Sequence, residues 1–244
     1  GTRDEEINNV QYHYCWPEGE NIVQYCSDMS KKMLNRFQEN DTPSFDVLHF
    51  HDWHMVGTLH QLKNRETVLT YHSTEFGRNG NTINSKWPFP EISKIEHYGG
   101  SIAGRITAVS STLRKEVMDL YDIPGWKIDV VPNGIVPDQY QTVVDPEEIK
   151  RRYGFDPNSP LILFIGRLAW QKGPDMLVDA APALLREHSS GQFAFVGDGH
   201  MRRRLESRAR ALPVRFLGRL DDADYISLLN SSDIVAIPSR NEPF

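Results

Sequence analysis

Residues 161–187 read LILFIGRLAWQKGPDMLVDAAPALLRE, and this stretch decides the fold. Its first five residues form a continuous apolar run, the mark of a strand buried on both faces of a parallel sheet. Gly166 ends the run and lets the backbone turn. Pro174 is a natural first residue of a helix, and 174–187 carries helical periodicity. The loop between them bears Arg167 and Lys172, and it delivers Lys172 to a helix N-terminus whose free amides and dipole attract an anion. Two fixed cations and a helix start suit a diphosphate. It is not the Gly-Lys-Ser/Thr phosphate loop, because Lys172 is followed by Gly173 and Pro174. A solvated Arg and Lys beside an ordinary strand-helix turn fits this segment equally well.

The same alternation extends in both directions. Strands are predicted at 192–196, 214–217 and 234–237, with helices at 200–212 and 222–230. Upstream, strands at 10–14, 47–51, 67–71, 105–109 and 128–131 alternate with helices at 22–38, 55–62, 91–98 and 111–120, the last capped by Ser110 or Ser111. Strand-helix alternation implies an α/β fold of parallel, doubly wound sheets. The polar, proline-bearing stretch between the two series divides the chain into a first domain at 1–140, a linker at 141–158 and a second domain at 159–244. Both domains read as incomplete: no apolar first strand with a Gly-rich turn opens the first, and the second stops soon after its fourth strand. A fragment of this kind is expected to be nearly inactive.

The chain has 244 residues, with 27 Lys and Arg against 33 Asp and Glu, for a net charge of −6. That balance lacks the basic footprint of a nucleic-acid binder. No apolar run approaches the roughly 20 residues of a membrane span. Cys15 and Cys26 show neither paired nor metal-type spacing, which reads as reduced thiols in a cytoplasmic enzyme.

In open α/β sheets ligands bind beyond the carboxyl ends of the strands, so residues there are the candidates. Gly197-Asp198-Gly199 follows one strand and allows a close backbone approach, or is simply a tight turn. Glu242, in 239–244, follows another and could accept hydrogen bonds from sugar hydroxyls. In 49–54, HFHDWH, period-two geometry puts His49 and His51 on one strand face, with Asp52, Trp53 and His54 in the turn and helix start. With no fourth ligand of matching character, the cluster reads as a polar cleft wall rather than a metal site. His72 ends the next strand, where it can orient a sugar or serve as a satisfied polar residue. Glu75 and Arg78 follow it as cleft residues or plain surface charges. Arg202-Arg203-Arg204 reads as a solvated helix face.

Together, 51–54 (HDWH), Tyr71-His72, 106–110 (ITAVS), 131–135 (VPNGI), 166–168 (GRL) with 171–173 (QKG), and 238–244 (PSRNEPF) resemble retaining glycosyltransferases of the two-Rossmann, GT-B class. The likeness is to the glycogen synthase-like and starch synthase-like enzymes of glycosyl transferases group 1. The resemblance implies two facing Rossmann-like domains, with a nucleotide-diphosphate sugar such as UDP-glucose or ADP-glucose on the second and a saccharide acceptor entering between them. Arg167 and Lys172 resemble the pair on the donor diphosphate, Glu242 the first glutamate of a paired motif near the donor sugar, and His72 the histidine reaching that sugar from the first domain. Gly166, Gly197 and Asp198 fall on the donor side; His51, Asp52, Trp53, His54, Glu75 and Arg78 fall on the acceptor side. No cofactor and no metal is implied, since Arg, Lys and helix amides stand where a divalent ion would.

The chain departs from the synthases in three places. No Lys-x-Gly-Gly-Leu loop lies in residues 1–46, the second glutamate of the paired motif would lie beyond Phe244, and Ser73 replaces the asparagine that often follows the histidine. Transfer to small acceptors therefore stays open beside chain elongation. A nucleotide-sugar epimerase of the same architecture and a non-catalytic sugar-binding module are the competing readings.

Overall fold

A computed structural model describes residues 2–42 and 44–243. The chain divides into two compact units, one running to Asn133 and the other spanning Gly134–Glu242.

The first unit contains β1 (Thr2–Ile7), β2 (Val10–Cys15), α1 (Ile22–Asn40), β3 (Leu48–His51), α2 (Val56–Leu62), β4 (Thr67–Tyr71), α3 (Glu75–Arg78), α4 (Phe89–Ile102), β5 (Arg105–Ala108), α5 (Ser111–Tyr121) and β6 (Ile128–Val130). Strands β3 to β6 form a parallel sheet in sequence order. Leu48, Phe50, Leu69, Tyr71, Ile106 and Ala108 point into one core with Leu59, Leu113 and Val117 from the helices. The alternation in β3 turns His49 and His51 away from that core. Ser110 caps α5 as expected, accepting from the Leu113 amide at 3.1 Å.

Two expectations need correction. Residues 10–14 do not join the parallel sheet; β2 pairs antiparallel with β1 in a separate hairpin. Asn8 and Asn9 adopt φ of 54° and 63°, the backbone of a tight hairpin turn whose twist matches its flanking strands. The helix expected at 91–98 runs from Phe89 to Ile102, because Gly99 and Gly100 continue it instead of ending it. A Cβ at Gly99 would lie 2.5 Å from Val56 Cγ2, so these glycines let α4 pack close on its neighbours.

The second unit contains α6 (Pro146–Arg152), β7 (Leu161–Ile165), α7 (Pro174–Glu187), β8 (Gln192–Val196), α8 (Arg202–Arg208), β9 (Val214–Gly218), α9 (Asp222–Ser231) and β10 (Ile234–Val235). Its parallel sheet has the order β10-β7-β8-β9. Ile162, Phe164, Phe193 and Phe195 face α7 and α8, while Leu161, Leu163, Ala194 and Val196 face α6 and α9. Covering both faces is why β7 and β8 read as unbroken apolar runs. Residues 141–158, read above as a linker, carry α6, and Ile149 and Phe155 are buried in the second of these cores. Asp145 caps α6 through the amides of Glu147 and Glu148.

Candidate active site

In the second unit, the order β10-β7-β8 brings three strand-end loops side by side: 238–242, 166–173 and 197–199. Backbone contacts lace them together. The amide of Gly166 donates to Val196 O at 3.0 Å, that of Leu168 to Asp198 O at 3.0 Å, and that of Arg240 to Gln171 O at 2.8 Å. Gly173 has φ of 62° and an added Cβ would sit 2.0 Å from Pro238 O; Gly197 has φ of 122° and its Cβ would sit 2.1 Å from Gly166 O. Any side chain at Gly197 must push two loops apart while holding a left-handed backbone. Gly197→Ala is therefore expected to destabilise the second unit by at least about 2 kcal/mol, and urea unfolding that shows less than half of that would refute the close approach.

A side-chain clasp reinforces the lacing. Arg240 makes a bidentate pair with Asp175 at 2.9 and 2.7 Å, donates to Trp170 O at 2.8 Å, and stacks on the Trp170 ring at 3.4 Å. The Arg240 hydrogen bonds hold the buried Asp175 carboxyl below the usual carboxylate range. Of the cations in these loops, Arg240 is thus consumed by structure. Lys172, next to the start of α7, is paired instead with Glu242: Nζ lies 2.7 and 2.9 Å from the two carboxylate oxygens, and Ser239 Oγ donates to Glu242 Oε1 at 2.5 Å. Arg167 is exposed, and its side chain makes no ion pair or hydrogen bond among the described residues; only its carbonyl is engaged, accepting from the Ala169 amide at 2.8 Å. Asp198 is exposed and accepts from the Gly199 amide at 2.8 Å. Arg167, Lys172, Glu242, Gly166, Gly197 and Asp198 are therefore grouped on one end of one sheet.

In the first unit the HDWH stretch separates into two environments. His51 and Asp52 stay with His72 at the ends of β3 and β4. His51 Nδ1 lies 2.9 Å from His72 Nε2, with the rings stacked at 5.2 Å. Asp52 takes φ of 55°, an uncommon conformation for a non-glycine residue, and its Oδ1 accepts from the His72 amide at 2.9 Å. His49 reaches Thr70 Oγ1 at 2.6 Å, and Thr70 in turn bonds Thr107. Partial burial, then the charges of neighbouring rings, holds His49 and His51 below the ordinary histidine value. Trp53 is buried against Cys26 and Ile92, and with His54 it borders an apolar cavity of about 690 Å³ between α1, α2 and α4. Among the described residues, no group of three or more His, Cys, Asp or Glu is arranged to hold a metal.

Glu75 and Arg78 are not surface charges. Glu75 is 5% exposed, and Arg78 pairs with it at 2.8 Å while also binding Glu96, itself 1% exposed. Glu96 further accepts from the Glu75 amide at 2.9 Å and from the Tyr121 hydroxyl, and its carbonyl accepts from Tyr71. This is an internal ion cluster joining α3, α4 and α5. Glu96 and Asp175 had no sequence signal, and Arg240 entered only as part of the 238–244 motif without a role of its own, since each gains its partner across the fold.

Residues 2–139 match the family described as Glycosyltransferase Family 4, and residues 145–244 match Glycosyl transferases group 1. An uncharacterised glycosyltransferase of Methanocaldococcus jannaschii is 32% identical over 251 residues, covering 98% of this chain and 64% of that protein. Glycogen synthase of Mycobacterium tuberculosis is 28% identical over 206 residues, covering 82% of this chain and 48% of the relative. The chain thus spans about half to two thirds of the length of these relatives. Among solved structures, the catalytic domain of starch synthase IV from Arabidopsis thaliana, bound to ADP and acarbose, superposes with a TM-score of 0.73 at 17% identity, covering 99% of this chain and 64% of that one. The α/β architecture with two parallel sheets is that of the GT-B enzymes, and the chain belongs to Glycosyltransferase Family 4.

Proposed function

We propose that this chain carries the donor-binding machinery of a retaining hexosyltransferase that moves a glucosyl group from a nucleoside-diphosphate sugar to a saccharide acceptor. The observation that carries the reading is the grouping of Arg167, Lys172 and Glu242 beside the start of α7, on loops already locked together. Arg167 and the amides at the start of α7 receive the diphosphate, and Lys172 exchanges Glu242 for it. The released Glu242 accepts from sugar hydroxyls, and in the first unit His72 serves as a hydrogen-bonding partner for a sugar hydroxyl. As the glycosidic bond breaks, negative charge grows on the leaving diphosphate, where fixed cations stabilise it. The two cations take the part of a divalent ion, so binding proceeds without metal. The two unbridged cysteines suit a reducing compartment such as the cytoplasm.

Thermal unfolding with UDP-, ADP- or GDP-glucose, in the presence of a chelator, tests this. One donor is expected to raise the midpoint, because a ligand at 100 times its Kd adds about 2.7 kcal/mol. No shift with any of the three at millimolar concentration would defeat the donor site. Detection of an altered free sugar rather than a new glycosidic product would point to an epimerase.

A further inference from the structure

The His51–His72 contact constrains more than position. Two neutral imidazoles 2.9 Å apart, Nδ1 to Nε2, share one proton between them. If His51 donates, both rings must carry their proton on Nδ1, the tautomer a neutral histidine disfavours in water. If His72 donates, both carry it on Nε2, the favoured form, and the contact is satisfied at no tautomeric cost. The surroundings hold the pair in place: Asp52 Oδ1 fixes the His72 backbone amide, and the His49 ring lies 4.3 Å from His51. His49 is itself tied to Thr70. His72 Nδ1 has no partner among the described residues.

We propose that His51 is a positioning residue: by accepting the Nε2–H of His72, it locks His72 in one tautomer and leaves His72 Nδ1 as an acceptor for a sugar hydroxyl. This rests on the reading of His72 as a sugar contact. The lock has a pH limit. Protonating His51 places hydrogens on both facing nitrogens, so the contact survives only if His72 moves its proton to Nδ1, which turns the acceptor into a donor. The groups facing His51 are His49, His72 and Asp52; the first two oppose its protonation and Asp52 favours it, with partial burial opposing it most.

Nitrogen-15 histidine spectra of the full chain, using long-range proton–nitrogen correlations at about pH 8, above the histidine range, report each tautomer directly. His51 and His72 are both expected as Nε2–H. His51→Ala should give His72 an Nδ1–H population, and His51→Asn, whose Oδ1 takes the place of Nδ1, should remove it again. On acidification, protonation of His51 should bring an Nδ1–H population to His72 in the wild type. His72 found as Nδ1–H in the wild type, or unchanged by His51→Ala, overturns the lock. At least one of glucose, UDP-glucose, ADP-glucose and GDP-glucose should shift His72 Nδ1. If the tautomers are as stated and none of these sugars moves His72, the reading of His72 as a sugar contact falls and the lock between the histidines stands.

Discussion

Replacing Glu96 by alanine is expected to destabilise the first unit by about 3–5 kcal/mol, the usual cost of removing one partner from a buried ion pair. The loss would leave the Arg78 guanidinium with Glu75 as its one carboxylate partner among the described residues, beside Ser73, and would remove the acceptor of the Tyr121 hydroxyl and the Glu75 amide. Glu96→Gln keeps most of these hydrogen bonds and should cost clearly less. Burial pushes the Glu96 carboxyl above its ordinary value, while Arg78, Tyr121 and the Glu75 amide resist. A group raised in the folded state stabilises most below its unfolded value of 4.5, and that contribution is lost as pH rises through the folded value. The gap between wild type and Glu96→Gln should therefore narrow from acid to neutral pH. Urea unfolding at several pH values checks both statements; an alanine variant within about 1 kcal/mol of wild type would mean the cluster contributes little.

Arg167→Ala is expected to lower kcat/KM of an intact enzyme containing this chain by about 2–4 kcal/mol, roughly thirtyfold to a thousandfold. Folding should hardly change, within about 0.5 kcal/mol, because the side chain is exposed and makes no ion pair among the described residues. Steady-state kinetics paired with a melting curve separates the two effects. Unchanged turnover would remove Arg167 from the donor site, and a large drop in midpoint would assign it a structural role.

What could be read from the residues follows how local each signal is. The runs at β7 and β8 are apolar throughout because both faces are covered, so they announce themselves in five residues. Gly166, Arg167, Lys172 and Gly197 are found by the same logic, since residues immediately after a parallel strand lie at the binding end of the sheet. β1 was invisible: TRDEEI has no apolar alternation, and it forms a strand because the Asn8-Asn9 turn folds it onto β2. Glu96 lies in a helix rich in polar residues and looks like a solvated position until Arg78 and Tyr121 arrive from other elements. Arg240 and Asp175 are 65 residues apart, so their clasp has no local trace. Trp53 and His54 are sequence neighbours of His51 and Asp52, but the turn that follows β3 sends them into a different environment.

The Lys172–Glu242 pair also bears on how fast an anion finds the site. A cation held 2.7 Å from its own carboxylate presents little net charge to a molecule still in solution. Beyond a screening length of about 10 Å at 0.1 M salt, the pair attracts almost nothing, and Arg167 with the start of α7 supplies most of the local pull. Capture should then depend only weakly on ionic strength, while the exchange of Glu242 for phosphate happens after contact and governs escape. Glu242→Gln uncovers the Lys172 charge, so stopped-flow association of a nucleoside diphosphate should become faster and more sensitive to salt. An identical salt slope in both proteins would show that Lys172 is already visible from afar, and that its carboxylate partner is no brake on arrival.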